Sequence, residues 1–105
     1  MKLLVGTDWA GSPVDDPRLL PGATTHHEME LLRRAGLSTA AILAAATRNA
    51  AEALGILDQV GTIAGGKLAD LVILDGDLLH DFSALHRPVA VLKKGQIVHG
   101  ALPER

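Results

Sequence analysis

The stretch Leu3-Leu4-Val5-Gly6-Thr7-Asp8 is a short apolar run that ends in a glycine, a hydroxyl and a carboxylate. Leu3, Leu4 and Val5 predict a buried strand, and the residues from Gly6 to Gly11 predict a loop leaving its carboxyl end. In parallel α/β proteins chemistry collects at that end of a strand, which makes Asp8 the first candidate functional residue. Taken alone, Asp8 also reads as a loop-opening carboxylate that caps a turn.

The chain of 105 residues is long enough for one modest domain. Apolar residues make up 48%, which excludes a disordered segment, but much of that share is alanine, and Trp9 and Phe82 are the only aromatic residues among Phe, Tyr and Trp. A core of Ala, Leu and Val is possible but thin. The formal net charge of −2, with scattered basic residues, gives no field that points to nucleic acid or an anionic membrane. The absence of cysteine excludes a disulfide framework and a thiolate zinc site. With no charged-then-apolar leader and no apolar run of membrane-spanning length, the expectation is a soluble, cytoplasmic protein.

After the opening strand, Gly11, Pro13, Pro17, Pro21 and Gly22 exclude regular structure over 10–23 and predict a long loop. Thr25-His26-His27-Glu28 reads as a capping box that opens a helix through Met29, Leu31, Leu32 and Ala35, ended by Gly36. Ser38 offers the cap of a second helix with an apolar stripe at Ile42, Leu43 and Ala46. Thr47 is expected to cap a third over 49–54, ended by Gly55.

Near Asp58 β-branched residues and glycines replace alanines. Val60-Gly61-Thr62-Ile63 predicts a short strand, Gly65-Gly66 a turn, and Asp70-Leu71-Val72-Ile73-Leu74 a strand covered on both faces or packed in a sandwich. Asp75-Gly76-Asp77 is a turn signal. Val89-Ala90-Val91-Leu92-Lys93 and Gln96-Ile97-Val98, joined by Lys94-Gly95, predict a β-hairpin. The first strand has no partner before the helices, and a lone buried strand leaves its backbone groups unpaired. Such a layout is expected of part of a larger fold or of an assembly.

Gly6-Thr7-Asp8, then Thr47-Arg48-Asn49-Ala50-Ala51-Glu52-Ala53-Leu54-Gly55, then Val60-Gly61-Thr62-Ile63, then Gly65-Gly66-Lys67-Leu68-Ala69-Asp70-Leu71-Val72-Ile73-Leu74 and Val91-Leu92-Lys93-Lys94-Gly95 occur in that order. Together they resemble the C-terminal portion of the metal-dependent amidohydrolase superfamily, in its imidazolonepropionase-like and Xaa-Pro dipeptidase-like branches. The resemblance implies an α/β fold: a fragment of a (β/α)8 TIM-like barrel (last strand and closing helices) over residues 1–57. The C-terminal strands of a small composite β-sandwich would then occupy residues 58–105. A barrel of this kind takes about 250 residues.

The resemblance also implies a divalent metal, usually zinc, in the complete enzyme. Family sites draw on a His-x-His pair, a central Lys or Glu, two later His residues and an Asp after the last strand; here only Asp8 matches, and no His-x-His occurs. Asp8 would bind metal, take a proton from the attacking water and pass it to the leaving nitrogen. Trp9 would be a substrate-pocket wall or a plug over the barrel mouth. His26, His27 and Glu28 read as a solvated first turn, and His80, His86 and His99 as surface residues. Lys67 and Asp70 belong to a structural motif rather than an acid/base pair.

The expected function is hydrolysis of a carbon–nitrogen bond in a cyclic amide or dipeptide. The isolated chain is expected to be inactive and to hold no metal tightly, because one carboxylate is not a zinc site. The expected partners are a small-molecule substrate and either the missing N-terminal part of the barrel or a second copy, with no nucleic acid and no membrane. A non-catalytic structural or interaction module that oligomerises or pairs with a separate N-terminal chain is the competing reading.

Overall fold

Helices α1 (Ala23–Arg34), α2 (Thr39–Ala46) and α3 (Arg48–Ala53) precede a three-stranded antiparallel sheet in the computed structural model. The sheet has the order β1 (Leu71–Leu74), β2 (Pro88–Lys93), β3 (Gln96–Gly100), and a 3-10 helix over Phe82–His86 separates β1 from β2. The structure describes residues 2–8 and 22–104.

The helix ends follow the chemistry of the sequence in three of five expected places. Ser38 Oγ accepts from the Ala41 amide at 3.2 Å and caps α2. Gly36 and Gly55 follow α1 and α3, and each makes the paired bonds of a Schellman motif. Gly36 donates to Arg33 O and Leu37 to Leu32 O; Gly55 donates to Glu52 O and Ile56 to Ala51 O.

Two expected caps do not form. Helix α1 opens at Ala23 with Gly22 at the cap and no side-chain cap bond. Thr25 therefore already lies inside the first turn, and the capping box with Glu28 is not made. Thr47 does stand before α3, but its hydroxyl donates back to Leu43 O at 2.6 Å rather than capping the helix ahead.

The core joins the helices to the 3-10 segment. Met29, Ile42, Leu78, Phe82 and Ala84 are buried together, with Val5, Leu32, Leu43 and Leu74 packed around them. Helix α1 also lays Arg33 over the Phe82 ring, 5.2 Å from its centroid. The 3-10 helix was not anticipated. Asp81 caps it, accepting from the Ser83 amide at 3.0 Å, Ser83 Oγ at 2.6 Å and Arg87 Nη2 at 2.9 Å. These bonds, Ser83 first and Arg87 next, hold the Asp81 carboxyl at about 2, well below its ordinary range.

The hairpin forms as expected. Lys93 pairs with Gln96 across the two-residue turn Lys94-Gly95, and both turn residues have positive φ, 50° and 80°. That is the backbone of a type I′ turn. Lysine is unusual there, and Asp70 holds it in place. Asp70 Oδ1 accepts from the Lys94 amide at 2.9 Å, and Oδ2 accepts from Lys93 Nζ at 2.7 Å. The sheet is not covered on both faces, because Val72 of β1 is 61% exposed.

Two strand expectations are corrected. Residues 2–8 take no strand partner among the described residues; the Val5 amide donates instead to Ala45 O of α2. Residues 60–63 form bends and turns rather than a strand. Gly61, at φ 97°, passes so close to α3 that a Cβ there would lie 2.6 Å from the Ala51 Cβ and 3.3 Å from Thr47 O. Lys67 secures this loop by donating to Leu57 O at 2.5 Å and Thr62 Oγ1 at 2.6 Å.

Gly61→Ala is expected to destabilise the chain by about 2–4 kcal/mol, from positive-φ strain plus overpacking. Ala51→Gly should recover part of that loss, giving a non-zero coupling in a double-mutant cycle read by denaturant unfolding. For Asp81 the folded pKa lies below the unfolded value of about 3.9. Its contribution is therefore present above pH 4 and lost as pH falls through 2. Asp81→Asn should lower Tm at pH 7, and the gap from the parent should close between pH 4 and 2 in thermal scans.

Candidate functional site

Asp8 is exposed at the end of residues 2–8, with φ 50°. That left-handed conformation is uncommon outside glycine and is tolerated best by Asn and Asp. No hydrogen bond or ion pair joins its carboxylate to another described residue. Among the described residues the Asp8 carboxylate is thus left unengaged.

The segment behind Asp8 is fixed at three points along α2 and α3. The Val5 amide donates to Ala45 O at 3.1 Å. Asn49 Nδ2 donates to Leu3 O at 3.2 Å. Lys2 Nζ pairs with Glu52 Oε2, and this bond lowers the Glu52 carboxyl below its ordinary range. Residues 5, 3 and 2 meet residues 45, 49 and 52 in turn, so the segment runs antiparallel to the course of α2 and α3. The Val5 side chain meanwhile packs on the core. Asn49 was not singled out from the sequence. No local signal marks it, because its partner Leu3 lies 46 residues away in the chain.

The other candidates fall elsewhere. Trp9 and the proline-rich stretch up to Pro21 lie outside the described residues. His26 is not solvated as expected: it is partly buried, with its ring in edge contact with His86 at 5.1 Å between centroids. Burial first, and the neighbouring His86 charge second, push the His26 pKa down. His80 Nδ1 sits 2.6 Å from Asp77 Oδ2 on the surface. Lys67 and Asp70 do not pair with each other, since Lys67 is engaged by Leu57 and Thr62 and Asp70 by the hairpin. Both residues serve the architecture.

Asp8 fits a divalent metal as a single oxygen ligand, but the described residues do not supply a metal site. No group of three or more His, Cys, Asp or Glu among them is placed to hold an ion. No described helix is long and apolar enough to cross a membrane.

The chain is similar to a curated 5-methylthioadenosine/S-adenosylhomocysteine deaminase from Teredinibacter turnerae, 32% identical over 101 residues that cover 94% of this chain and 23% of that protein. It is also similar to an imidazolonepropionase from Aromatoleum aromaticum, 43% identical over 67 residues, 62% of this chain and 16% of that protein. Among solved structures, a Xaa-Pro dipeptidase with methionine bound in its active site superposes with a TM-score of 0.69 at 32% identity, over 74% of this chain and 19% of that one. The chain thus spans less than a quarter of the length of each of these three proteins. The sequence profile of the Amidohydrolase family matches residues 1–98, and the chain belongs to that family.

Proposed function

We propose that this chain forms the C-terminal part of a metal-dependent hydrolase acting on a carbon–nitrogen bond of a small molecule, a cyclic amide or a dipeptide. In this reading residues 1–57 complete the barrel and residues 58–105 belong to the accompanying sandwich. The observation that carries the reading is Asp8: an exposed carboxylate on a left-handed residue, at the end of a segment anchored through its backbone to α2 and α3. A strained backbone held by its surroundings is characteristic of functional positions. The names of the relatives point the same way, since a deaminase and a dipeptidase both break carbon–nitrogen bonds.

A divalent metal, zinc in the favoured reading, supplies Lewis acidity and lowers the pKa of water when bound. Asp8 contributes one oxygen ligand and a proton acceptor. Its carboxylate takes a proton from the attacking water and delivers it to the departing nitrogen, which leaves neutral. The remaining ligands, and the pocket-wall or plug role read for Trp9, lie outside the described residues.

The large apolar side chains left on the surface support a second reading. Leu54 is 74% exposed, Ile63 90% and Val98 63%, and such surfaces call for cover. A non-catalytic module that pairs with a separate chain or a second copy would also bury them.

The deciding experiment uses the protein translated from the complete reading frame that contains these residues. It should bind divalent metal and hydrolyse at least one of a Xaa-Pro dipeptide, an imidazolone ring or an amino-substituted heterocycle. Asp8→Asn should lower kcat about 10²- to 10⁴-fold, the range for a lost acid–base group. Undiminished turnover in Asp8→Asn would remove Asp8 from the mechanism, and absence of turnover with strong self-association in light scattering would favour the module.

A further inference from the structure

We infer that Asn49 is a positioning residue for Asp8: its side-chain amide sets where the segment carrying the carboxylate sits on the helices. The inference rests on the functional reading of Asp8 above. Two backbone groups of the segment are held by described residues, the Val5 amide by Ala45 O and the Leu3 carbonyl by Asn49 Nδ2. The first of these ties cannot be altered by changing a side chain. The second is made by a side chain, and so a single substitution can remove it.

Asn49 is suited to this role by its place in the helix. It is the second residue of α3, directly after the break at Thr47, where a short side chain reaches outward without losing an interior helix position. Lys2 and Glu52 add a third tie beyond it, but that pair is largely exposed, and exposed ion pairs contribute little. Four residues separate Leu3 from Asp8, and among them the Val5 side chain packs against the core. The Asn49 bond therefore shares with the Val5 contacts the work of holding the segment, and without it the Val5 amide and side chain carry that work with only the exposed Lys2–Glu52 pair beside them. Displacements of about 1 Å at a reacting group cost on the order of a hundredfold in rate.

Asn49→Asp is the sharpest test because it keeps the shape and loses the donor. At neutral pH the carboxylate repels Leu3 O; when protonated it can donate again. In the complete protein, Asn49→Asp should lower kcat about ten- to a hundredfold with KM changed less than about threefold. The ratio of its rate to the parent's should rise as pH falls towards 5, while that of Asn49→Ala stays flat. Independently of turnover, the Val5 amide should exchange its hydrogen about tenfold faster in both variants, read by NMR or mass spectrometry without metal. Unchanged exchange at Val5 in both folded variants would overturn the inference. If exchange accelerates while Asp8→Asn retains full turnover, Asn49 holds the segment but the reading of Asp8 fails, and Asn49 is then not a positioning residue for catalysis.

Discussion

The break between α2 and α3 at Thr47 is the constraint on which the candidate site depends. Thr47 lies outside helical geometry, at φ −127° and ψ −87°, and its hydroxyl turns back to Leu43 O. A helix leaves its last four carbonyls without intrahelical partners. Ala45 is among those four, and its carbonyl takes the Val5 amide. A continuous helix would have directed the amide of residue 49 to the same oxygen. The interruption therefore creates the acceptor that holds the segment behind Asp8, and it also places Asn49 at the start of a new helix.

The same break accounts for the loop that follows. Thr47 O and the Ala51 side chain form the surface against which Gly61 packs, where only a residue without a Cβ fits. Lys67 then closes the loop by bonding to Leu57 O and Thr62 Oγ1, and Asp70 passes the chain into β1 while holding the Lys94 turn. Gly61, Lys67 and Asp70 are thus parts of one mechanical linkage. It runs from the helices to the sheet and gives each of the three a structural part in this chain.

Much of this was legible in the sequence wherever local chemistry decides structure. Ser38, Gly36, Gly55 and the Lys94-Gly95 turn each fix a helix end or a hairpin through bonds made within a few residues, and each stands where expected. Reading failed where distant partners decide. Val60-Gly61-Thr62-Ile63 has strand composition, but its geometry answers to Ala51 and Lys67. Thr25 and Glu28 carry the letters of a capping box, yet the helix begins two residues earlier. The 3-10 helix depends on Asp81, Ser83 and Arg87 closing on one another, and its residues carry no apolar period to announce it. Of the candidate site, Asp8 was legible from its place after an apolar run, and Asn49 was not, because nothing local marks a partner forty-six residues away.

What holds the Leu3 to Asp8 segment also limits how it can be used. In an extended chain, alternate residues send their polar backbone groups to opposite sides. Leu3 and Val5 are of one parity, and both turn to the helices. The side chains of Leu3 and Leu4 are exposed alike, at 40% and 45%. A strand of a closed barrel has a neighbour along each edge, so the proposed barrel would have to supply strands to both sides of this segment around the ties at Leu3 and Val5. The helices would then fix the carboxylate from behind while the remaining ligands approach from the front. Under the proposed reading the work would be divided between this chain, which would set the position of one oxygen ligand, and the rest of the protein, which would set what that ligand meets.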